Sequence, residues 1–150
     1  MGEKYVDGMP PAAALLRRPA VLVRHEIMAG LQSAGYTDIL PAHLGVFQHP
    51  GPDGLRPGVL ATRTHASKQA MNHLLHQLEV GGYLVREAST GDRRTRVVRL
   101  TERGWDAAAV IRQTVVEVEK LWQELLGEET YRDLRNALAL LEERLDQPPG

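Results

Sequence analysis

The 150-residue chain contains no cysteine, which excludes a disulfide framework, a thiolate zinc site and thiol-based redox sensing by this chain. Such an absence fits a reducing compartment. The chain also lacks any run approaching the ~20 apolar residues that span a bilayer. Its opening, M-G-E-K-Y-V-D-G-M-P, has no basic-then-apolar signal layout. The Met-Gly start is not followed by Ser or Thr at the sixth position, where Val6 stands, so the myristoylation motif fails. A cytoplasmic protein with no membrane partner is expected. Alternation of strands with helices is missing, as is a glycine-rich phosphate loop, so neither a dinucleotide fold nor a P-loop is supported. There is no G-x-S-x-G elbow or comparable nucleophile setting, and no enzyme is expected.

A large net charge is missing as well, but its near-cancellation conceals a segregation. The chain carries -1 overall, yet residues 56–103 hold nine Lys or Arg against four Asp or Glu, while the remainder holds nine against fifteen. The basic part lets one face meet phosphate while the acidic remainder keeps the protein soluble.

What is present is mostly helical periodicity. Residues 1–10 hold little apolar pattern and read as a mobile arm. Residues 12–34 read as a helix through Leu16, Val23, Ile27 and Leu31. Pro19 either starts that helix proper or kinks it. Gly35 ends it, and Leu40 to Gln48 reads as a short second helix beginning near Pro41. The segment H-P-G-P-D-G-L-R-P, His49 to Pro57, reads as a loop.

Gly58 to Thr64 has room for about two helical turns. After the break His65-Ala66, Ser67 is an N-cap candidate for a helix over 68–80, which Gly81-Gly82 stops. Ala70, Met71, Leu74, Leu75 and Leu78 form its expected buried side. Lys68, Gln69, Asn72, His73 and His76 are left on the other side. A short helix, a tight break and a helix with a polar leading turn make a helix-turn-helix.

The run L-V-R-E-A-S-T-G-D-R-R-T-R-V-V-R-L, Leu84 to Leu100, reads as two arginine-rich strands around a turn. Val98 and Leu100 share a face and are expected to anchor this hairpin. Arg86 and Arg99 either face each other across the strands or point to solvent. Thr101 can cap a long helix in which Ala108, Ile111, Val115, Val118, Trp122 and Leu125 recur at threes and fours. Gly127 breaks it, and Tyr131, Leu134, Leu138, Leu141 and Leu145 repeat the pattern. Such narrow stripes zip helices together. Helices of about 30 Å and 27 Å would overhang a small core and are expected to dimerise.

D-R-R-T-R-V-V-R-L-T-E-R-G, Asp92 to Gly104, resembles the wing signature of MarR-family transcriptional regulators, D-x-R followed by an apolar pair and L-T-x-x-G. S-K-Q-A-M-N-H-L-L-H-Q-L-E-V-G-G-Y-L, Ser67 to Leu84, is similar to that family's recognition helix and its exit into the wing. The resemblance covers roughly residues 12–146. It departs at Pro57-Gly58, where relatives more often have a helix-favouring start, so the first helix of the motif is expected to be short or irregular.

The resemblance implies a mainly α protein with a two-stranded β-wing, a winged helix-turn-helix carrying long N- and C-terminal dimerisation helices. It implies one domain over 11–150, with the winged core about 38–103 and dimerisation helices about 12–34 and 102–146. A homodimer on a pseudo-palindromic operator follows, usually a repressor, with release by a small aromatic or lipophilic effector. The alternative is a winged-helix protein-interaction module with weak or no specific DNA binding.

Ser67 at a helix N-terminus can offer its hydroxyl and neighbouring N–H groups to phosphate, with Lys68 supplying charge. Gln69 and Asn72 carry the paired donor and acceptor that read adenine in the major groove, and His73 can reach a base edge or phosphate. In the wing, Arg94 is the candidate for the minor groove. Asp92 is expected to hold Arg94 by a salt bridge, and Arg93 and Arg96 to reach phosphates.

The cleft that the resemblance implies would be lined by Met28, Tyr36, His43 and Phe47, each of which reads more readily as core. Ile111, Val115, Val118, Trp122, Leu134, Leu138 and Leu141 are the dimerisation candidates. His73 and His76 stand at a metal-compatible spacing. Zinc-sensing relatives, however, draw paired histidines from the helix after the wing, where this sequence has none. No metal and no cofactor are expected.

Overall fold

The computed structural model describes residues 8–48, 54–89 and 92–147, with residues 89 and 92–95 described by backbone alone. The first seven positions of the expected arm, and residues 49–53 of the expected loop, lie outside the described residues. The element order is α1 (Ala12–Ser33), a 3-10 turn (Pro41–His43), α2 (Leu44–Phe47), α3 (Pro57–Thr64), α4 (Lys68–Val80), β1 (Leu84–Ser89), β2 (Asp92–Leu100), α5 (Glu102–Leu126) and α6 (Glu128–Leu145). Contacts divide the chain inside α5, between Thr114 and Val115. This is the mainly α architecture with a two-stranded antiparallel wing that the sequence pattern implies.

Helix α1 runs through Pro19, so the helix starts upstream of the proline. The missing N–H there leaves the Leu15 carbonyl without its intrahelical donor. Only the later half of α1 joins a core, through Ile27 and Leu31, while residues 12–22 are exposed. Gly35 ends the helix at φ +92, with the Tyr36 amide returning to the Leu31 carbonyl. A residue with a Cβ would resist that left-handed turn.

The core of the first unit gathers Leu31, Ile39, Leu60, Met71, Leu75, Leu78, Tyr83 and Leu84, all essentially without solvent contact. Each such side chain contributes about 1.5–3 kcal/mol relative to exposure. Helix α3 begins at Pro57, where the missing N–H costs no helical bond, and spans eight residues. The departure at Pro57-Gly58 therefore shortens this helix without removing it. His65 closes it in the left-handed region at φ +54.

Helix α4 keeps the boundaries that its caps dictate. The Ser67 hydroxyl accepts from the Ala70 amide at 3.1 Å. At the other end Gly82 adopts φ +79 and the Tyr83 amide reaches the Leu78 carbonyl at 2.9 Å. Its buried positions are Met71, Leu75 and Leu78, with Leu74 half-buried. Ala70, expected on the buried side, is exposed; it stands one residue ahead of Met71 and so rotates about 100° off the buried line.

The wing register pairs Leu84 with Leu100, Arg86 with Val98 and Ala88 with Arg96, with an irregularity between Ala88 and Ser89. Arg86 and Arg99 therefore lie on opposite faces and do not meet. Val98 is buried and Leu100 half-buried, so this face anchors the hairpin. A third strand-like contact was not foreseen: Leu55 exchanges both backbone hydrogen bonds with Val98, at 3.0 and 2.7 Å.

Two residues of L-T-E-R-G close the wing onto α5. Thr101 Oγ1 accepts from the Gly104 amide at 3.2 Å and donates to the Gly82 carbonyl at 2.6 Å, and the Thr101 amide donates to the Tyr83 carbonyl at 3.0 Å. Gly104 lies so close to that same carbonyl that a side chain there would collide with it.

In the second unit, Gly127 adopts φ +80 between α5 and α6. Tyr131 is the buried residue of α6, and its phenol is pushed above its ordinary pKa by burial and then by Glu119.

Candidate nucleic-acid interface

The face of α4 turned away from the core presents Lys68, Gln69, Asn72, His73 and His76, all exposed. Ser67 is also exposed, at the N-terminus of the same helix. The Ser67 cap satisfies the Ala70 amide, and the positive end of the helix dipole remains directed outward. Phosphate would be met by that dipole, the Lys68 ammonium and the remaining leading amides.

The wing follows immediately from the end of α4. Arg96 is exposed and pairs in register with Ala88. The side chains of Asp92, Arg93 and Arg94 lie outside the described residues, so the expected Asp92–Arg94 ion pair does too. What is described is their backbone, which forms the outer end of β2.

Two wing arginines have intramolecular partners that their positions in the sequence do not reveal. Arg99 Nε pairs with Glu87 Oε2 at 2.9 Å. Arg86 reaches across to α4: Nε lies 3.2 Å from Glu79 Oε2, Nη2 donates to the Asn72 carbonyl at 2.9 Å, and Nη1 lies 3.5 Å from Asn72 Oδ1. The basic segment thus contains cations neutralised at home and cations turned outward.

The four proposed ligand-lining residues have different surroundings. Tyr36 and Phe47 pack against Tyr83, with ring centroids 6.1 and 6.2 Å away. His43 is buried, accepts the Leu40 amide on Nδ1 at 2.9 Å and therefore donates from Nε2 to Gln77 Oε1, also at 2.9 Å. Met28 lines a shallow cleft of about 470 Å³ with Val21, Arg24 and Ile39. Tyr36, His43 and Phe47 thus each have a partner inside the fold.

A larger cleft of about 800 Å³ lies elsewhere in the first unit, and sequence reasoning missed it. Ala20, Val23 and Ile27 of α1, with Leu44 and Leu74, give it an apolar floor. Arg24 and Arg63 supply its cationic groups and His65 an imidazole, and no carboxylate lines it among the described residues. The spacing of Ala20, Val23, Arg24 and Ile27 on one helical face was the available signal. Such a cleft suits a small apolar anion.

Tyr83 ties these parts together. Its hydroxyl donates to Asp38 Oδ1 and accepts from Arg103 Nη2 at 3.0 Å, and the Arg103 guanidinium lies 4.6 Å from its ring centroid. Burial, reinforced by the hydrogen bond to Asp38, pushes the phenol above its ordinary range.

The dimerisation candidates separate by burial. Ile111 is buried. Val115, Val118 and Trp122 are half-buried, and Leu134, Leu138 and Leu141 are exposed, as are Leu121, Leu125 and Leu145. Among the described residues no three metal-ligating side chains come together.

The sequence pattern that defines the MarR family matches residues 44–95. The exopolysaccharide II synthesis transcriptional activator ExpG of Rhizobium meliloti (strain 1021) is 32% identical over 115 residues, 77% of this chain and 58% of that protein. The HTH-type transcriptional repressor Rv2887 of Mycobacterium tuberculosis is 34% identical over 94 residues, 63% of this chain and 66% of that protein. The chain therefore spans less than two thirds of the length of these curated relatives. The crystal structure of Rv2887 in complex with salicylic acid has a TM-score of 0.62 at 29% identity, over 91% of this chain and 99% of that one. A crystal structure of MarR, 23% identical, has a TM-score of 0.76 over 94% and 95% of the two chains, which shows the winged-helix fold. With its capped recognition-type helix, its wing and the L-T-E-R-G closure of the wing onto α5, the chain is similar to the MarR family of transcriptional regulators, whose pattern it matches over residues 44–95.

Proposed function

We propose that this protein binds a pseudo-palindromic duplex operator as a homodimer, acts as a repressor, and releases the operator when a small apolar anion enters the cleft beside Arg24, Arg63 and His65. The observation that carries the reading is the exposed row Ser67, Lys68, Gln69, Asn72 and His73 on α4, followed by a wing on which Arg96 is exposed. In this reading α4 lies in the major groove, Arg94 enters the minor groove, and Arg93 and Arg96 meet phosphates.

Dimerisation is supported by unpartnered apolar side chains on helices that present little else to bury them. Leu125 and Leu145 are 73% and 75% exposed, with Leu134, Leu138 and Leu141 along the same face of α6. A two-fold axis would place two copies of α4 in successive major grooves ~34 Å apart. Repression follows wherever such an operator overlaps the site of the polymerase.

The effector arm of the proposal rests on the composition of the larger cleft, an apolar floor under two guanidinium groups and an imidazole. The salicylic acid complex of Rv2887 is consistent with an aromatic carboxylate as the class. His65 belongs both to that cleft and to the turn between α3 and α4, so an anion bound there would act on the turn that orients α4.

The test is selection of duplexes from a random pool, followed by anisotropy titration with and without aromatic carboxylates. The expected result is a two-fold symmetric site whose affinity falls when the carboxylate is added. A protein that enriches no sequence would contradict the reading.

A further inference from the structure

We propose that Arg86 is a positioning residue that fixes what Asn72 can read, turning it from an adenine reader into a donor-only reader of guanine or thymine. The proposal rests on the operator-binding reading given above and deepens it.

Arg86 leaves β1 and lies against the outward face of α4 with only 18% of its side chain exposed. Asn72 and Glu79 are seven residues apart, two turns along one face of the helix. Helical carbonyls point toward the C-terminus and side chains tilt toward the N-terminus. The Asn72 carbonyl and the Glu79 carboxylate therefore converge on one guanidinium from opposite ends, at 2.9 and 3.2 Å.

This placement has two consequences. The charge of Arg86 is answered by Glu79, so Arg86 is a strut between wing and helix and not a phosphate ligand. Its rigid fork suits that work, because Nη2 donates to the Asn72 carbonyl while Nε, itself without a hydrogen bond, stands at ion-pair distance from Glu79.

The second consequence concerns the amide. Arginine has no acceptor, so the atom of Asn72 facing Nη1 at 3.5 Å must be Oδ1. The oxygen is turned toward Arg86, and the two N–H bonds of Nδ2 are left to face outward. Two-point recognition of adenine needs both the oxygen, for the N6 amino group, and the nitrogen, for N7. With the oxygen turned away, only donors meet the groove. Guanine O6 and N7 or thymine O4 accept them, whereas adenine accepts at N7 alone and its amino group opposes a second donor. The pairing of Asn72 with adenine expected from residue type alone is thereby revised by a residue on the neighbouring strand.

The test compares wild type, Asn72→Ala and the double variant Arg86→Ala/Glu79→Gln, which removes the strut without leaving an unpaired carboxylate. Each protein selects duplexes from a random pool, and single-base operator variants are then titrated by anisotropy, with thermal melts of every protein. Asn72→Ala is expected to erase a preference of about tenfold for guanine or thymine at one symmetric position. The double variant is expected to shift that same position toward adenine, leaving the other positions and the salt dependence unchanged.

Should the double variant fail to fold, Arg86→Lys keeps a cation beside Glu79 but lacks the fork, and the same position is expected to relax. If the variants keep the wild-type preferences, or if wild type already prefers adenine where Asn72 reads, the proposal is overturned while operator binding stands. A wild type that selects no sequence overturns both.

Discussion

Gly104, in the first turn of α5, lies directly against the carbonyl oxygen of Tyr83, with no space for a side chain between them. The same carbonyl accepts the Thr101 amide, so it is fixed by the backbone and cannot withdraw. Gly104→Ala gains helix propensity but forces a carbon into that oxygen. The expected net loss is about 2 kcal/mol of folding stability. Urea denaturation checks it; a variant as stable as wild type would show that the closure between wing and α5 is loose.

Ser67 has two separable roles. Ser67→Ala removes the cap on the Ala70 amide and is expected to cost about 1 kcal/mol of stability. Ser67→Asp keeps a capping oxygen but adds negative charge where phosphate is proposed to sit. It is expected to melt near the wild-type temperature yet bind duplex more weakly. Equal binding by the aspartate variant would remove phosphate from this end of α4.

The left-handed His65 stands alone among described non-glycine residues in its positive φ. His65→Gly relieves the steric cost of a Cβ in that region and is expected to raise stability by about 1 kcal/mol. Thermal melting gives the direction at once.

Tyr83 makes stability fall at alkaline pH. Its pKa in the folded protein is raised above the ordinary 10.0, so between the two values the native state holds a proton that the unfolded state has lost. Stability is therefore level below pH 10 and falls as pH rises through the folded value. Tyr83→Phe lacks this fall and also lacks the hydrogen bonds to Asp38 and Arg103, at a cost of about 1–2 kcal/mol near neutrality. Chemical denaturation between pH 8 and 11 is expected to show the two stability curves converging. Parallel curves would mean that Tyr83 does not carry the dependence.

Local chemistry made much of this architecture legible in the sequence. Ser67 and Gly81-Gly82 delimit α4 because capping and left-handed closure are decided within a few residues. Gly127 and the apolar spacing around it separate α5 from α6 for the same reason. The omissions are of a different kind. Arg86 meets Asn72 fourteen residues away, and Leu55 meets Val98 across the α3–α4 segment. Both contacts depend on how the wing folds back, which periodicity does not encode. Ile111 fits a dimerisation stripe by spacing, yet it is buried, while Leu125 near the other end of the same helix is exposed. The cleft beside Arg24 and Arg63 arises from four separate segments and has no contiguous signature.

The most direct test of the central claim is the salt dependence of duplex affinity, measured by anisotropy on the selected operator with wild type and Arg94→Ala. A dimer that neutralises six to ten phosphates is expected to lose about 10³–10⁵ in affinity between 50 and 200 mM salt. Arg94→Ala is expected to bind the operator more weakly by over about 1 kcal/mol. A wild type with weak affinity that changes little across the same salt range would contradict the assignment of α4 and the wing to DNA.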